Sequence, residues 1–425
     1  MLFSSTPWSG FAIPRIRAMA LVPLACLLLP AIAAAQQPTP TYTLQDLLAR
    51  ARLESPALAT SRAEQLSARA GIITARARPN PEISFDPGRL TARRNDVIGG
   101  ASSAISISQP IESPWLREAR LNNANARVEL AVAQTGALQS NLNAAIRDRF
   151  FDLLRLRAEQ QALQEDLQLT EQIRDRVEVR VRTGEAPRFD SLRAEAEVAT
   201  VRKNVDATAL RQRQARFALR QLVSPNLEAD FEIGLQADDS RLLTETDYLA
   251  LKYAVVERNP DVVVAREAVN GADLQIELER QQIIPSVTLR ATHERDPSSA
   301  LTRVGAHITI PLLNRREGPI AEARANAERA RLALDQRRFE ADASFEGAWQ
   351  AYRAALSQVQ AIEGGILERS RRILAVAEAA YRLGERGILE YLDAQRQFRL
   401  VRNELLTARF ELQRARTDLE RLAGR

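Results

Sequence analysis

Between residues 318 and 422 the chain carries a seven-residue repeat interrupted once, at Gly384. Upstream of it, small or apolar residues fall at Phe345, Ala348, Tyr352, Ala355, Val359, Ile362, Ile366, Ile373, Val376, Ala380 and Leu383, with Arg369 the one lapse. Downstream, Tyr391, Ala394, Phe398, Val401, Leu405, Ala408, Leu412, Ala415, Leu419 and Leu422 keep the rhythm. Such a stripe stays on its partner when helices supercoil left-handedly, because 3.5 residues per turn removes the drift. Leu383-Gly384-Glu385-Arg386-Gly387 predicts the hairpin between two long helices, since glycine takes left-handed backbone angles where a helix stops.

The order of elements occurs twice, about 200 residues apart. A short helix over 44–54 and Ser55-Pro56 in the first half match 248–258 and Asn259-Pro260 in the second. Pro79-Asn80-Pro81 stops the next helix as Ile284-Pro285-Ser286 does later. Alternation then replaces the helical period. Ile83 and Phe85 interleave with Ser84 and Asp86, and Ile105 and Ile107 with Ser106 and Ser108. Val287, Leu289 and Ala291, then Val304, Ala306, Ile308 and Ile310, repeat the pattern. Period two with one apolar and one polar face predicts strands. A helix of about 65 residues, or about 100 Å at 1.5 Å per residue, follows the first strand pair. It turns at Thr183-Gly184-Glu185-Ala186-Pro187 and returns to about Val223. Its returning arm carries the same seam at Ala194, Val198, Val201, Val205, Ala215, Leu219 and Leu222, with lapses at Thr208 and Gln212. The expected organisation is a leader (1–35) and two repeats (36–246 and 247–425). The first repeat holds strands about 82–109, a helical hairpin about 116–223 and an irregular segment 224–246. The second holds strands about 286–310 and a hairpin about 316–423.

The leader reads as an export signal: Arg15 and Arg17 precede an apolar run that ends at Ala33-Ala34-Ala35. The run is too short for a good membrane span. Cys26 is the only cysteine and lies inside it, so the mature chain is expected to have no disulfide and no Cys metal site. Leu24-Ala25-Cys26 is the rival reading, a lipidation site. The net charge of +5 is interspersed rather than blocked, which argues against nucleic acid as a partner. No phosphate loop, G-x-S-x-G or H-E-x-x-H stands in the chain, so an enzyme is not expected. His293 and His307 are the only histidines, on opposite phases of their strands, with no converging ligands around them. No metal site and no cofactor are expected. Gly364-Gly365 reads as a tolerated flexible point within the heptads rather than a ligand loop.

One half-apolar strand pair is not stable alone, and four strands close no useful barrel. In an exported protein such strands suit a membrane β-barrel, apolar residues to lipid and polar ones to the lumen. Backbone groups in lipid must all be paired, so closure requires several copies of the chain. Three copies give twelve strands, while the charged helices project into water.

With these residues in view, the chain resembles the TolC-type outer-membrane efflux proteins over nearly everything after the leader. The segments Arg182-Thr183-Gly184-Glu185-Ala186-Pro187-Arg188-Phe189-Asp190 and Tyr381-Arg382-Leu383-Gly384-Glu385-Arg386-Gly387-Ile388-Leu389-Glu390-Tyr391-Leu392-Asp393 look like that family's two periplasmic tip hairpins. Ile107-Ser108-Gln109-Pro110 and Ile310-Pro311-Leu312-Leu313-Asn314-Arg315-Arg316 look like strand-to-helix junctions of its CzcC-like, heavy-metal cation branch. The resemblance implies a mostly helical fold with a small β part: a homotrimeric twelve-stranded outer-membrane barrel continued by a helical tunnel across the periplasm. It implies a passive exit duct, working with a periplasmic adaptor and a proton-driven inner-membrane pump. It also implies a gate of Asp190, Arg386, Glu390 and Asp393, the acids ringing the mouth and Arg386 facing Asp190 between hairpins. Glu390 stands where the family usually has Asp. Gly184, Gly384 and Gly387 become the tips that adaptor helices approach. Divalent cations are the expected cargo, organic drugs or solvents the alternative. A reading of another class, an exported coiled-coil stalk, leaves the duplicated amphipathic strands unused.

Overall fold

The computed structural model describes residues 40–91, 98–234 and 242–424. The expected leader, with Cys26, lies outside the described residues. In chain order the elements are β1 (Thr41–Tyr42), α1 (Leu44–Glu54), α2 (Pro56–Arg76), β2 (Glu82–Leu90), β3 (Gly100–Ile111), α3 (Pro114–Arg182) and α4 (Arg188–Val223). β4 (Glu232–Ile233), α5 (Glu245–Arg258), α6 (Pro260–Gln281), β5 (Ser286–Arg295), β6 (Ala300–Thr309), α7 (Glu317–Ala361), α8 (Leu367–Arg382) and α9 (Ile388–Leu422) follow.

Local chemistry starts the two halves in the same way. Thr43 and Asp46 form a capping box on α1, and Thr244 and Asp247 form one on α5. In each, a side chain satisfies a helix-end N–H and receives one in return. α2 and α6 both begin with proline, whose missing N–H costs nothing in a first turn. Asn259 is 1% exposed. Its Oδ1 accepts from the backbone N–H of Asp261 and Val262 at 3.0 and 3.3 Å, while its Nδ2 donates to the Leu422 carbonyl at 3.1 Å. It thereby caps one helix and satisfies the end of another.

β2, β3, β5 and β6 form an antiparallel sheet in that order. The register pairs Ile83 with Ile107, Phe85 with Ile105, Ile107 with Ala291 and Ala291 with Val304. One face is therefore apolar across all four strands, and its Ile83, Phe85, Leu289 and Val304 are exposed within the single chain. The opposite face carries Ser84, Ser106, Thr292 and Arg303 in one row. His307, paired with Thr288, lies on this polar face. His293 lies on the apolar one, where its Nδ1 meets Thr302 Oγ1 at 2.9 Å. β2 runs through Pro87 to Leu90, past the alternation that ends at Asp86. As an edge strand within the chain, it tolerates a residue without an N–H. β4 lies within the segment 224–246 expected to be irregular and pairs in parallel with β1; two residues are too few for alternation to register.

α3, 69 residues long, is the spine. Near the sheet the helices lie side by side as α2, α3, α6 and α7; farther away the row is α4, α3, α9 and then α7 with α8. Two cores pin the transition. Leu47, Ile146, Phe150, Leu219 and Phe231 form one, and Leu251, Phe345, Trp349, Tyr352 and Leu419 the other.

The heptad seam departs from expectation at one place. It is buried as far as Val359 and Ile362, but Ile366, Ile373 and Val376 are exposed. A single π turn, Ile362–Ile366, intervenes, and Gly365 within it is non-helical. A π turn accommodates one extra residue. The inward stripe of α8 is accordingly Leu367, Ser370, Leu374, Ala377 and Tyr381, each one residue later than the pattern suggested. The lapse at Arg369 vanishes in this phase, since Ser370 takes its place. Gly364-Gly365 is thus a phase shift in the helix rather than a tolerated bend.

Asn259→Ala removes the cap of α6 and strands a buried carbonyl of α9, a loss of about 2–3 kcal/mol. Urea unfolding in detergent, followed by far-ultraviolet circular dichroism, should show the lower midpoint.

Candidate functional site: the helical tip

Both hairpins turn with one hydrogen-bond pattern. Gly184 N–H donates to the Val181 carbonyl at 3.2 Å and Glu185 N–H to Arg180 at 2.8 Å. Gly384 N–H donates to Tyr381 at 3.2 Å and Glu385 N–H to Ala380 at 2.9 Å. This closure requires a left-handed residue after the helix. Gly184 and Gly384 supply it with φ of 79° and 77°. Gly387 differs: it precedes α9 with φ −76°, an angle open to any residue. Both turns leave open space where a Cβ would stand.

Behind the turns an apolar cluster joins both hairpins, with Ile173, Val177, Ala194, Tyr381, Ile388, Tyr391 and Leu392 buried. The Tyr381 and Tyr391 rings stack at 5.7 Å, and the Arg180 guanidinium lies 5.3 Å from the Tyr381 centroid. Burial pushes the Tyr391 hydroxyl up to about 12, so it stays neutral.

Three of the four expected gate residues come together. Arg386, Glu390 and Asp393 line an open groove of about 730 Å³ between α8 and α9, with Arg372, Ile373 and Val376 opposite. Arg386, in the turn before α9, donates to Glu390 in the first turn of that helix at 3.2 Å, and both are largely exposed. The pair contributes little to stability there. It does offset half of the local acid charge, which leaves Asp393 the less compensated of the two acids. Asp190 sits apart, half-buried in the first turn of α4, where the helix dipole favours an acid. Among the described residues, no ion pair joins Asp190 to Arg386 within one protomer.

Above the groove lies a layer that the sequence reading missed. Glu197 of α4 is 2% exposed. It accepts from Arg396 Nε at 3.0 Å and also from the guanidinium of Arg399. Arg402 donates to Asp166 of α3, and Thr170 Oγ1 donates to the Asp166 carbonyl at 2.7 Å. Three arginines of α9 thus hold one acid from each arm of the other hairpin. Burial alone would raise Glu197, but the hydrogen bonds from Arg396 and Arg399 outweigh it and hold the carboxyl below the usual range. Burial dominates at Asp166 and raises it despite Arg402. In sequence these residues look like solvated helix charges. The one available signal is their spacing, Arg396, Arg399 and Arg402 at steps of three, facing away from the α7–α9 seam.

A family model described as outer membrane efflux protein matches residues 47–224 and 251–425, one block in each half. The chain belongs to the outer membrane efflux protein family. This efflux protein is a passive channel of the outer membrane and periplasm, not an enzyme, and the stalk reading falls with that. It is 25% identical to the cobalt-zinc-cadmium resistance protein CzcC of Cupriavidus metallidurans, over 90% of each chain. It is 21% identical to the pyoverdine export outer membrane protein OpmQ of Pseudomonas aeruginosa, over 90% of this chain and 85% of that one. The solved structure of CusC shares its fold with a TM-score of 0.74 at 18% identity, covering 92% of this chain and 95% of that one.

Glu197→Ala leaves the largely buried Arg399 uncompensated and costs about 3 kcal/mol; limited proteolysis should show the efflux protein's tip opening earlier. The pH dependence has a definite sign. Because the folded value of Glu197 is depressed, its stabilisation is present above the ordinary glutamate range and lost as pH falls through the folded value. Asp166, raised on folding, acts the other way: it favours the fold at low pH, and that contribution is lost as pH rises through its folded value. Glu197→Gln should therefore flatten the acid limb of a stability profile measured by denaturant midpoints.

Proposed function

We infer that three copies of this chain assemble into one continuous duct, the exit conduit of a tripartite efflux system. The observation that carries the reading is the four-stranded sheet, with an apolar outer face and an open edge at β2 and at β6. Lipid tolerates no open edge, so each β6 must pair with a sibling's β2. Twelve strands from three chains leave a water-filled lumen where four strands leave none.

The helical row supports the same arrangement. Its margins carry apolar side chains that are exposed in the single chain: Leu66 and Ile73 on α2, Leu332 and Phe339 on α7, Leu210 and Phe217 on α4, Ile373 and Val376 on α8. Margin against margin, α7 with a sibling's α2 and α8 with a sibling's α4, these bury one another. The two repeats, 36–246 and 247–425, then alternate around the ring. In this assembly Glu390 and Asp393 recur three times about the mouth and attract cations, with Arg386 and a neighbour's Asp190 across the seam between hairpins. The tip turns at Gly184 and Gly384, with Gly387 beside them, lack side-chain bulk and suit end-on approach by the helices of a periplasmic adaptor. A proton-driven inner-membrane pump supplies the cargo.

Divalent metal cations are the cargo this reading favours. The support is the similarity to CzcC, a cobalt-zinc-cadmium resistance protein, along nearly the whole chain, together with the acids at the groove. The similarity to OpmQ favours a second reading, an organic export substrate.

The assembled protein should leave membranes only with detergent, as a species of three chains, and open pores in planar bilayers. Arg386→Glu adds like charge beside Glu390, so single-channel conductance and cation preference should both rise; unchanged currents would remove these residues from the gate. Deletion of the gene should lower tolerance to cobalt, zinc or cadmium. A strain that tolerates the metals as before but fails to export a siderophore would carry the organic reading instead.

A further inference from the structure

At both places where a strand passes into a long helix, exposed apolar side chains stand beside arginine. At the first, Ile111 ends β3 and Trp115 opens α3, both exposed, with Trp115 at 64%. A cleft of about 400 Å³ there is lined by Arg78, Gln109, Ile111, Glu112, Pro114 and Arg117. Glu112 is neutralised by Arg120 at 2.7 Å, so Arg78 and Arg117 leave the cleft net positive. Arg78 is exposed, with no ion pair among the described residues. Arg117 gives one Nη to the Arg76 carbonyl at 3.3 Å, while its buried Nε has no hydrogen-bond partner among the described residues. At the second junction, Leu312 and Leu313 are exposed, Leu313 completely, and Arg315 follows them.

Strand parity fixes the side on which the cleft opens. Gln109 and Ile111 share the phase of Ile105 and Ile107, the apolar face of the sheet. The cleft therefore continues the lipid-facing surface at the level where the helices begin. Aromatic and apolar side chains flanked by cations at such a boundary match a headgroup layer, the apolar part below the phosphates and the guanidinium at them.

We propose that these junctions bind the phosphates of anionic phospholipids in the periplasmic leaflet, with Arg78 and Arg117 as the recognising groups. Trp115 and Leu312-Leu313 set the depth of the barrel in that leaflet. The inference rests on the reading of the sheet as one arc of a membrane barrel.

The test uses the assembled full-length protein, reconstituted with equal amounts of phosphatidylethanolamine and phosphatidylglycerol and examined by native mass spectrometry. Phosphatidylglycerol should be retained preferentially. Arg78→Gln should lower that retention roughly fivefold, the effect of one cation near an anionic surface, while Arg329→Gln, an exposed change on α7, should not. Arg78 is exposed, so its variant should keep wild-type circular dichroism. In a Trp8→Phe, Trp349→Phe background, brominated phosphatidylglycerol should quench Trp115 fluorescence more than the brominated ethanolamine lipid does. Equal retention of the two lipids by a protein that still forms pores would overturn this inference and leave the duct reading standing. Displacement of the lipid by millimolar inorganic phosphate would reassign the cleft to a free anion and overturn it too. Failure to insert at all would remove both.

Discussion

A four-stranded sheet with two edges left unpaired within the chain governs everything else in this molecule. Each unpaired N–H or C=O in hydrocarbon costs several kcal/mol, and β2 and β6 present nine and ten residues of backbone at the margins. Among the described residues no further strand pairs with either edge. The apolar face adds the same demand in another form, since Ile83, Phe85, Leu289 and Val304 point away from any core. In water the edges would be hydrated and only the apolar face would stay unfavourably exposed; in lipid both demands stand, and the proposed ring meets both.

The helices face a parallel problem with different chemistry. A row of helices also has two margins, but its backbone is satisfied internally, so only apolar side chains ask for a partner. Duplication answers both problems together: each half supplies one strand pair and one helical hairpin, and the left margin of one half suits the right margin of the other. The π turn at 362–366 adjusts this scheme. By advancing the inward stripe of α8 by one residue, it leaves Ile366, Ile373 and Val376 exposed, available to the second seam proposed above. A helix in strict heptads offers one seam; one with a single-residue shift offers different faces above and below it.

Much of this was legible because periodicity and punctuation are local. Strand alternation, the proline stops and the glycines at 184 and 384 each act over a few residues, and all appear where the pattern placed them. The seam of α9 is buried or half-buried throughout. What escaped depended on contacts between distant segments. The β1–β4 pair joins Thr41 to Glu232 and leaves no pattern in either dipeptide. The phase of α8 was misread because a π turn has no signature beyond two glycines, and the exposed stripe is itself apolar at the expected spacing. Glu390 and Asp393, three residues apart, line one groove. The salt bridge of Arg386 to Glu390, in contrast, required a rotamer choice that spacing alone leaves open.

The layer of Glu197, Asp166, Arg396, Arg399 and Arg402 follows a different logic from the apolar seams. Taking these charges out of water costs about as much as their attraction returns, so their net stabilisation is small compared with an apolar replacement. Their use is alignment. A seam of alternating alanine, valine and leucine can slide by a heptad at modest cost, because the next residue of the repeat resembles the last. A buried carboxylate cannot slide, since any other register leaves it without a guanidinium. Arg396 stands only three residues beyond Asp393 and six beyond Glu390 on one helix. Fixing Arg396 against Glu197 therefore fixes the height of both acids relative to the first hairpin. In the trimer proposed above, three copies would present those acids at one level only if every protomer held the same register, and the buried charges favour one register.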